Sequence, residues 1–264
     1  MVTAPKRVFD GRPTVLGHRG SGRGTVDGNA ENSLESILAG VASGLRWVEF
    51  DVRRTADDLL VVGHHPTLDD GSWVADLDGP GATALGMVTL DTVLTALPDG
   101  IGVNIDLKTS LEDALRPREA TTAALLAPVL RDLVAGDRAA GRPVLVSSFD
   151  PASLLVIGEL APVLPRGLLA WVGFPLRKAI PAAVHLGVDA VAAHWSSFGP
   201  NGVDRAPSFR SAAYAVDVAH RAGLEVVVWC PGADVATELL SAGVDAVVVD
   251  DVPTTLAALR GQAD

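Results

Sequence analysis

His18 and Arg19 sit in the turn Gly17-His18-Arg19-Gly20, which follows a short apolar run. Glu31-Asn32, Glu49-Phe50-Asp51 and His64 come after them in the first quarter of the chain. Two imidazoles can shuttle protons, two carboxylates can hold a divalent ion, and a guanidinium can grip a phosphate. Together these are the parts for metal-assisted cleavage of a phosphodiester.

Glu49 and Asp51 are two apart within Trp47-Val48-Glu49-Phe50-Asp51-Val52. On a strand that spacing sends both side chains to one face, and two adjacent carboxylates repel unless a cation neutralises them. The alternative is an ion pair with Arg53 or Arg54. Asp106 and Lys108 repeat the spacing in Asn104-Ile105-Asp106-Leu107-Lys108. Asp106 can supply a third oxygen ligand and Lys108 can neutralise a phosphate oxygen, although an internal Asp–Lys pair uses the same residues. Three hard carboxylates suit Mg²⁺ or Ca²⁺ better than zinc, and the sequence does not separate those two ions.

The two histidines, His18 and His64, each follow an apolar run, and imidazole suits proton transfer near neutral pH. One can deprotonate the attacking oxygen while the other protonates the departing alkoxide. His65, adjacent in an extended segment, points the other way and reads as supporting or exposed. His194 is a weaker candidate, and His185 and His220 fall on surface helices. Arg19 opens the glycine-rich stretch Gly20-Ser21-Gly22-Arg23-Gly24, where backbone can approach a phosphate closely. Glu31-Asn32 either orients Arg19 or caps the first helix. Trp229 either walls the pocket or fills the core.

These residues must be held by a scaffold. Eight strands are expected, at Thr14–Gly17, Trp47–Val52, Ile101–Leu107, Val144–Ser148, Gly167–Val172, Ala190–His194, Glu225–Trp229 and Ala246–Val249. Most are continuous apolar runs, as in strands buried on both faces. Helical patterns alternate with them, at 33–44, 89–97, 118–134, 151–160, 177–186, 208–222, 233–242 and 253–260. Asp150-Pro151 marks a helix start, and Gly44, Gly187, Gly223 and Gly243 mark helix ends. Eight βα units predict a (β/α)₈ TIM barrel in a single domain over 1–264, with its core at about 13–261; an open doubly wound sheet is the alternative. Leu59 to Gly86 reads as an elaborated connection after the second strand.

Composition narrows the partners. Of 264 residues 48% are hydrophobic, enough for a large core, and the formal charge is −11. That charge opposes binding to nucleic acid or anionic lipid, while a local metal and arginine can still reverse the field in one cleft. The single cysteine, Cys230, allows no intrachain disulfide and leans towards the cytoplasm. Residues 1–11 hold no apolar h-region, so no signal peptide is expected. No apolar run predicts stable membrane insertion. Oligomeric state is not legible.

The order Gly17-His18-Arg19-Gly20, Glu31-Asn32-Ser33, Val48-Glu49-Phe50-Asp51-Val52 and Leu60-Val61-Val62-Gly63-His64 resembles the N-terminal signature of the glycerophosphodiester phosphodiesterase family. The segments 146–151, 223–229 and 243–250 resemble its later strands, so the likeness spans nearly the whole chain. It implies a barrel that hydrolyses glycerophosphodiesters to sn-glycerol 3-phosphate and an alcohol with a divalent metal, Mg²⁺ or Ca²⁺. By position, His18 and His64 would be the acid–base pair, Glu49, Asp51 and Asp106 the metal ligands, and Arg19 and Lys108 the phosphate contacts. The chain departs from the pattern at His65, where the family has Asp, and at Asp106, where it has Glu. Asp69-Asp70-Gly71-Ser72 replaces an Arg-Thr-Thr-like stretch, and the segment between His64 and Asp106 is short. Two other readings stand beside this one. One is a lysophospholipase D-like enzyme with a lip of Trp73, Leu77, Trp171, Phe174, Trp195 and Phe198. The other is a non-catalytic sugar-phosphate-binding barrel.

Overall fold

A computed structural model describes residues 7–136, 142–199 and 210–261. Eight parallel strands form the barrel: β1 (Thr14–Gly17), β2 (Trp47–Arg54), β3 (Gly102–Leu107), β4 (Val144–Ser148), β5 (Arg166–Ala170), β6 (Ala190–His194), β7 (Glu225–Trp229) and β8 (Ala246–Val249). Each pairs with its sequence neighbour, and β1 closes the ring by pairing with both β8 and β2. Closure excludes the open sheet.

A helix follows each strand: α1 (Leu34–Ala42), α2 (Leu90–Ala96), α3 (Thr122–Ala135), α4 (Pro151–Leu160), α5 (Leu176–Leu186), α6 (Ala212–Arg221), α7 (Ala233–Ser241) and α8 (Val252–Arg260). Their starts are chemically marked. Asp150 accepts from the N–H groups of Ala152 and Ser153 ahead of α4, with Pro151 in the first turn.

The strands look uniformly apolar because both faces are buried, yet they still alternate. Val48, Phe50, Val103, Ile105 and Val146 pack outward in the layer shared with the helices. Leu16, Trp47, Leu145, Ala192, Val227 and Val248 fill the barrel interior, and Val8 and Phe9 join that cluster. The Phe9 and Trp47 rings lie 4.9 Å apart. Inward positions further along β2 and β3 carry Glu49, Asp51, Asn104 and Asp106. The apolar plug therefore gives way to carboxylates towards the C-terminal mouth.

Several expected boundaries shift, among them β3, which starts at Gly102, and β5, which runs Arg166–Ala170. β2 runs two residues past Val52, because a short strand at Leu60–Val62 folds back antiparallel on Val52–Arg54. The helix expected from 118 starts as α3 at Thr122, since Thr121 caps it after a separate turn at Arg118–Ala120. The helix expected from Ser208 begins at Ala212, capped by Ser211, and residues 208–209 lie outside the described residues. The connection after β2 holds a 3₁₀ turn at Val74–Asp76, a six-residue helix at Gly79–Ala84 and a short strand at Val88–Thr89. A two-stranded hairpin, Thr25–Val26 with Asn29–Ala30, turns on Asp27-Gly28, both at positive φ.

Candidate active site

The site begins with strand register. Asp51 on β2 is opposite Asp106 on β3, and Glu49 is opposite Asn104. Gly17 is opposite Val48 on one side and Val249 on the other, so His18 emerges beside both Glu49 and Asp250. The turn after β1 is glycine-bound for steric reasons. A Cβ on Gly17 would stand 1.9 Å from the Gly20 carbonyl oxygen, and one on Gly20 would stand 2.6 Å from the Ser36 backbone. Between them Arg19 takes a φ of 53°. The tight turn lets α1 close against it and drops Arg19 beside the acids.

A cleft of about 750 Å³ at the barrel mouth is lined by His18, Arg19, Glu49, Asp51, His64, Asp106, Lys108 and Trp229, among others. Every residue singled out from the sequence for catalysis, substrate or metal is therefore in one place. Carboxylate oxygens of Glu49, Asp51 and Asp106 lie within 4.8 Å of one another.

Asp51 is the hub. Asn32 donates to its Oδ2 at 2.8 Å, Arg19 Nε lies 3.5 Å from the same oxygen, and Lys108 Nζ lies 2.9 Å from Oδ1. Burial alone would raise its pKa. Lys108, His64 and Arg19 outweigh burial and hold it below the usual value. Glu49 goes the other way: burial and then repulsion from Asp51 push its pKa up. Asp106 is raised mainly by burial, although Lys108 bonds to its Oδ2 and pulls the other way. The Asp–Lys pair foreseen as an alternative is thus present, shared between two acids. Arg53 and Arg54 are not partners of Glu49 or Asp51 in this sense; Arg53 donates to the His64 carbonyl and Arg54 to Asp58.

The two histidines are held in opposite states. Burial disfavours charge on His18, but Asp250 at 2.6 Å from Nδ1, Cys230 and Glu49 outweigh it and raise its pKa well above 6.5. His64 is pushed down to about 4, first by burial, with Arg19 and Lys108 adding to the shift against Asp51. Its Nδ1 is buried without a hydrogen-bond partner.

The remaining residues sort themselves. Arg19 donates to Glu31 at 2.5 Å, so Glu31 orients it. Asn32 does not cap α1, as Ser33 does that. His65 is exposed, its ring edge-on to His64. His194 caps the 3₁₀ turn after β6 and packs on Trp229 at 4.5 Å. Trp229 also faces Phe149 at 6.0 Å and keeps a buried indole N–H without a partner, so it walls the cleft. The sequence reading missed Asp250 and Cys230 as neighbours of His18. Their signal was positional, since both directly follow barrel strands at the mouth.

The matched sequence model is that of the glycerophosphoryl diester phosphodiesterase family, over residues 18–254. The chain belongs to that family. It is therefore a phosphoric diester hydrolase. No curated protein matches it by sequence. Solved structures share its fold. A glycerophosphodiester phosphodiesterase described as putative from Galdieria sulphuraria is 20% identical with a TM-score of 0.75, over 96% of this chain and 98% of that one. One from Silicibacter pomeroyi, also described as putative, is 24% identical with a TM-score of 0.75, over 96% and 95%. An Oleispira antarctica phosphodiesterase, in complex with the product sn-glycerol-3-phosphate, is 23% identical with a TM-score of 0.72, over 96% and 99%.

Proposed function

We propose that the cleft hydrolyses small glycerophosphodiesters to sn-glycerol 3-phosphate and an alcohol, with a divalent metal and His18 and His64 as the proton-transfer pair. The observation that carries this is the placement of His18, hydrogen-bonded to Asp250, and of His64 in one cleft with three clustered carboxylates. The product bound to the Oleispira structure supports the same substrate class.

The acids fit a hard cation. Asp106 Oδ1 is buried without a hydrogen-bond partner, and two of the three carboxyl pKa values are raised by crowding and burial. Glu49, Asp51 and Asp106 would hold Mg²⁺ or Ca²⁺, which when bound supplies Lewis-acid polarisation of the phosphoryl oxygen. His18, kept protonated by Asp250, is placed to give its Nε2 proton to the leaving alkoxide. His64, neutral above about pH 4, is placed to take the proton of the attacking hydroxyl. Arg19 and Lys108 neutralise the phosphate charge, and Trp229 offers its free N–H. The attacking hydroxyl is water or the substrate's own glycerol hydroxyl; the latter gives a cyclic phosphate first.

The test is release of glycerol 3-phosphate from glycerophosphocholine and glycerophosphoethanolamine, after EDTA and again with Mg²⁺, Ca²⁺ or Mn²⁺. Metal-restored release is expected. His18→Ala and His64→Ala should each lower turnover by roughly two to four orders of magnitude, while His65→Ala should be mild. Binding of glycerol phosphate by the folded enzyme without turnover under any metal refutes the reading.

A second reading, a lysophospholipid substrate, has an observation of its own. Trp73, Leu111, Leu115, Trp171, Val172 and Trp195 are exposed apolar side chains on the connections that leave the strand ends. The lip differs from the expected one. Phe198 is buried, and Leu77 packs with Val61 and Val74. Faster cleavage of lysophosphatidylcholine than of glycerophosphocholine would favour this reading.

A further inference from the structure

We infer that the cleft carries a second, softer metal site, in which His18 Nδ1, Cys230 Sγ and Asp250 Oδ1 bind Zn²⁺ and thereby switch the enzyme off. The switching rests on the proton-donor role proposed for His18; the site itself does not.

The three ligand atoms lie within 4.8 Å of one another. They come from three consecutive staves of the barrel: His18 directly after β1, Cys230 directly after β7 and Asp250 directly after β8. Backbone hydrogen bonds lock their spacing. His18 N–H donates to the Val249 carbonyl at 3.0 Å, and Cys230 N–H donates to the Val248 carbonyl at 2.8 Å. The set is therefore built by the strand register rather than by mobile loops.

The sulfur–nitrogen spacing fits zinc. Sγ and Nδ1 are 3.5 Å apart. A tetrahedral ion with ordinary Zn–S and Zn–N bonds holds its sulfur and nitrogen ligands about 3.5 Å apart. Asp250 Oδ1 is nearer Nδ1, at 2.6 Å, and must withdraw to about 3.4 Å for the same geometry. Its side chain is 37% exposed, so a small rotation is open to it. Binding releases the thiol proton and the proton shared by His18 and Asp250 to solvent. His18 and Cys230 line the cleft, from which an ion can reach them.

Ligand chemistry separates this set from the carboxylates. Thiolate and imidazole select zinc over Mg²⁺ and Ca²⁺, whereas Glu49, Asp51 and Asp106 offer only hard oxygen. Occupation at Nδ1 fixes the ring's remaining proton on Nε2, the atom that lies 4.0 Å from Glu49. It also forbids the imidazolium form, so the ring keeps its place and loses its acidity.

The test uses the whole enzyme saturated with Mg²⁺. Co²⁺ is titrated as a spectroscopic stand-in for Zn²⁺, and the thiolate-to-cobalt charge-transfer band in the near ultraviolet is followed. A saturable band is expected; Cys230→Ser should abolish it and Asp250→Asn should weaken cobalt affinity. In the hydrolysis assay, Cys230→Ser should need more than about tenfold more Zn²⁺ for half-inhibition. Absence of the band in the wild-type protein overturns the site. A band with equal zinc sensitivity in both proteins overturns the switch. If no diester is hydrolysed under any metal, the proposed function fails while the cobalt band still decides the site.

Discussion

Asn32 holds Asp51 from two sides: its amide donates to the carboxylate at 2.8 Å, and its carbonyl oxygen accepts the Asp51 backbone N–H at 3.1 Å. Asn32 does so at a φ of 60°, a conformation that asparagine tolerates better than most residues. The clamp leaves Asp51 one orientation, towards Asp106 and Lys108. Asn32→Ala should weaken divalent-metal affinity by roughly tenfold to a hundredfold, the usual scale for losing a partner that orients a ligand. Calorimetric titration with Mg²⁺ or Mn²⁺ measures it, and unchanged affinity would mean that Asp51 is not a ligand.

The pairing of His18 with Asp250 fixes a pH signature. A carboxylate raises the pKa of a neighbouring imidazole, and removing it lowers that pKa. With His18 as the acid, the alkaline limb of kcat against pH marks the loss of its proton. Asp250→Asn should therefore move that limb to lower pH, while the acid limb set by His64 stays in place. An unmoved alkaline limb, with metal and substrate held the same, would remove His18 from the acid role.

The barrel and the carboxylates were legible in the sequence for a physical reason. Parallel strands buried on both faces are largely apolar runs with charge confined to their ends, Glu225 at the closed end of β7 and Glu49, Asp51 and Asp106 towards the mouth, where they interrupt the pattern. Five strands, β1, β4, β6, β7 and β8, have the boundaries expected of them. The misses lie where register or short-range chemistry decides. Asp250 follows an apolar strand and precedes Asp251, the helix cap, so nothing local marks it as the partner of a histidine 232 positions away. Asn32 looked like a cap because Ser33, the actual one, is its neighbour. The helix at Gly79–Ala84 is only six residues long, too short to show a period, although Asp78 caps it. The Asp27-Gly28 turn was a readable hairpin signal.

Lys108 sits between Asp51 and Asp106 and competes with any cation for them. Taking it away has two opposed consequences. Lys108→Ala should tighten Mg²⁺ binding by roughly tenfold, because a positive charge no longer has to be displaced or outvoted. Turnover should fall nonetheless, since a phosphate-neutralising group is lost. Measuring metal affinity and kcat separately shows both. If affinity weakens, Lys108 supports the acids structurally and does not compete for them.

Phe9 closes the far end of the barrel. It is 3% exposed, packs in the interior cluster beside Trp47, and its segment is tied to β7 through Glu225, which accepts the Val8 and Phe9 N–H groups. The carboxylates are at the opposite end of the same strands, with the apolar layers between. Phe9→Ala should therefore cost about 3–5 kcal/mol of stability, the range for truncating a buried phenylalanine. KM and kcat measured well below the lowered melting temperature should be close to wild type. A large change in kcat at full folding would mean that the plug sets the geometry of the mouth, and that the interior layers transmit strain along β2.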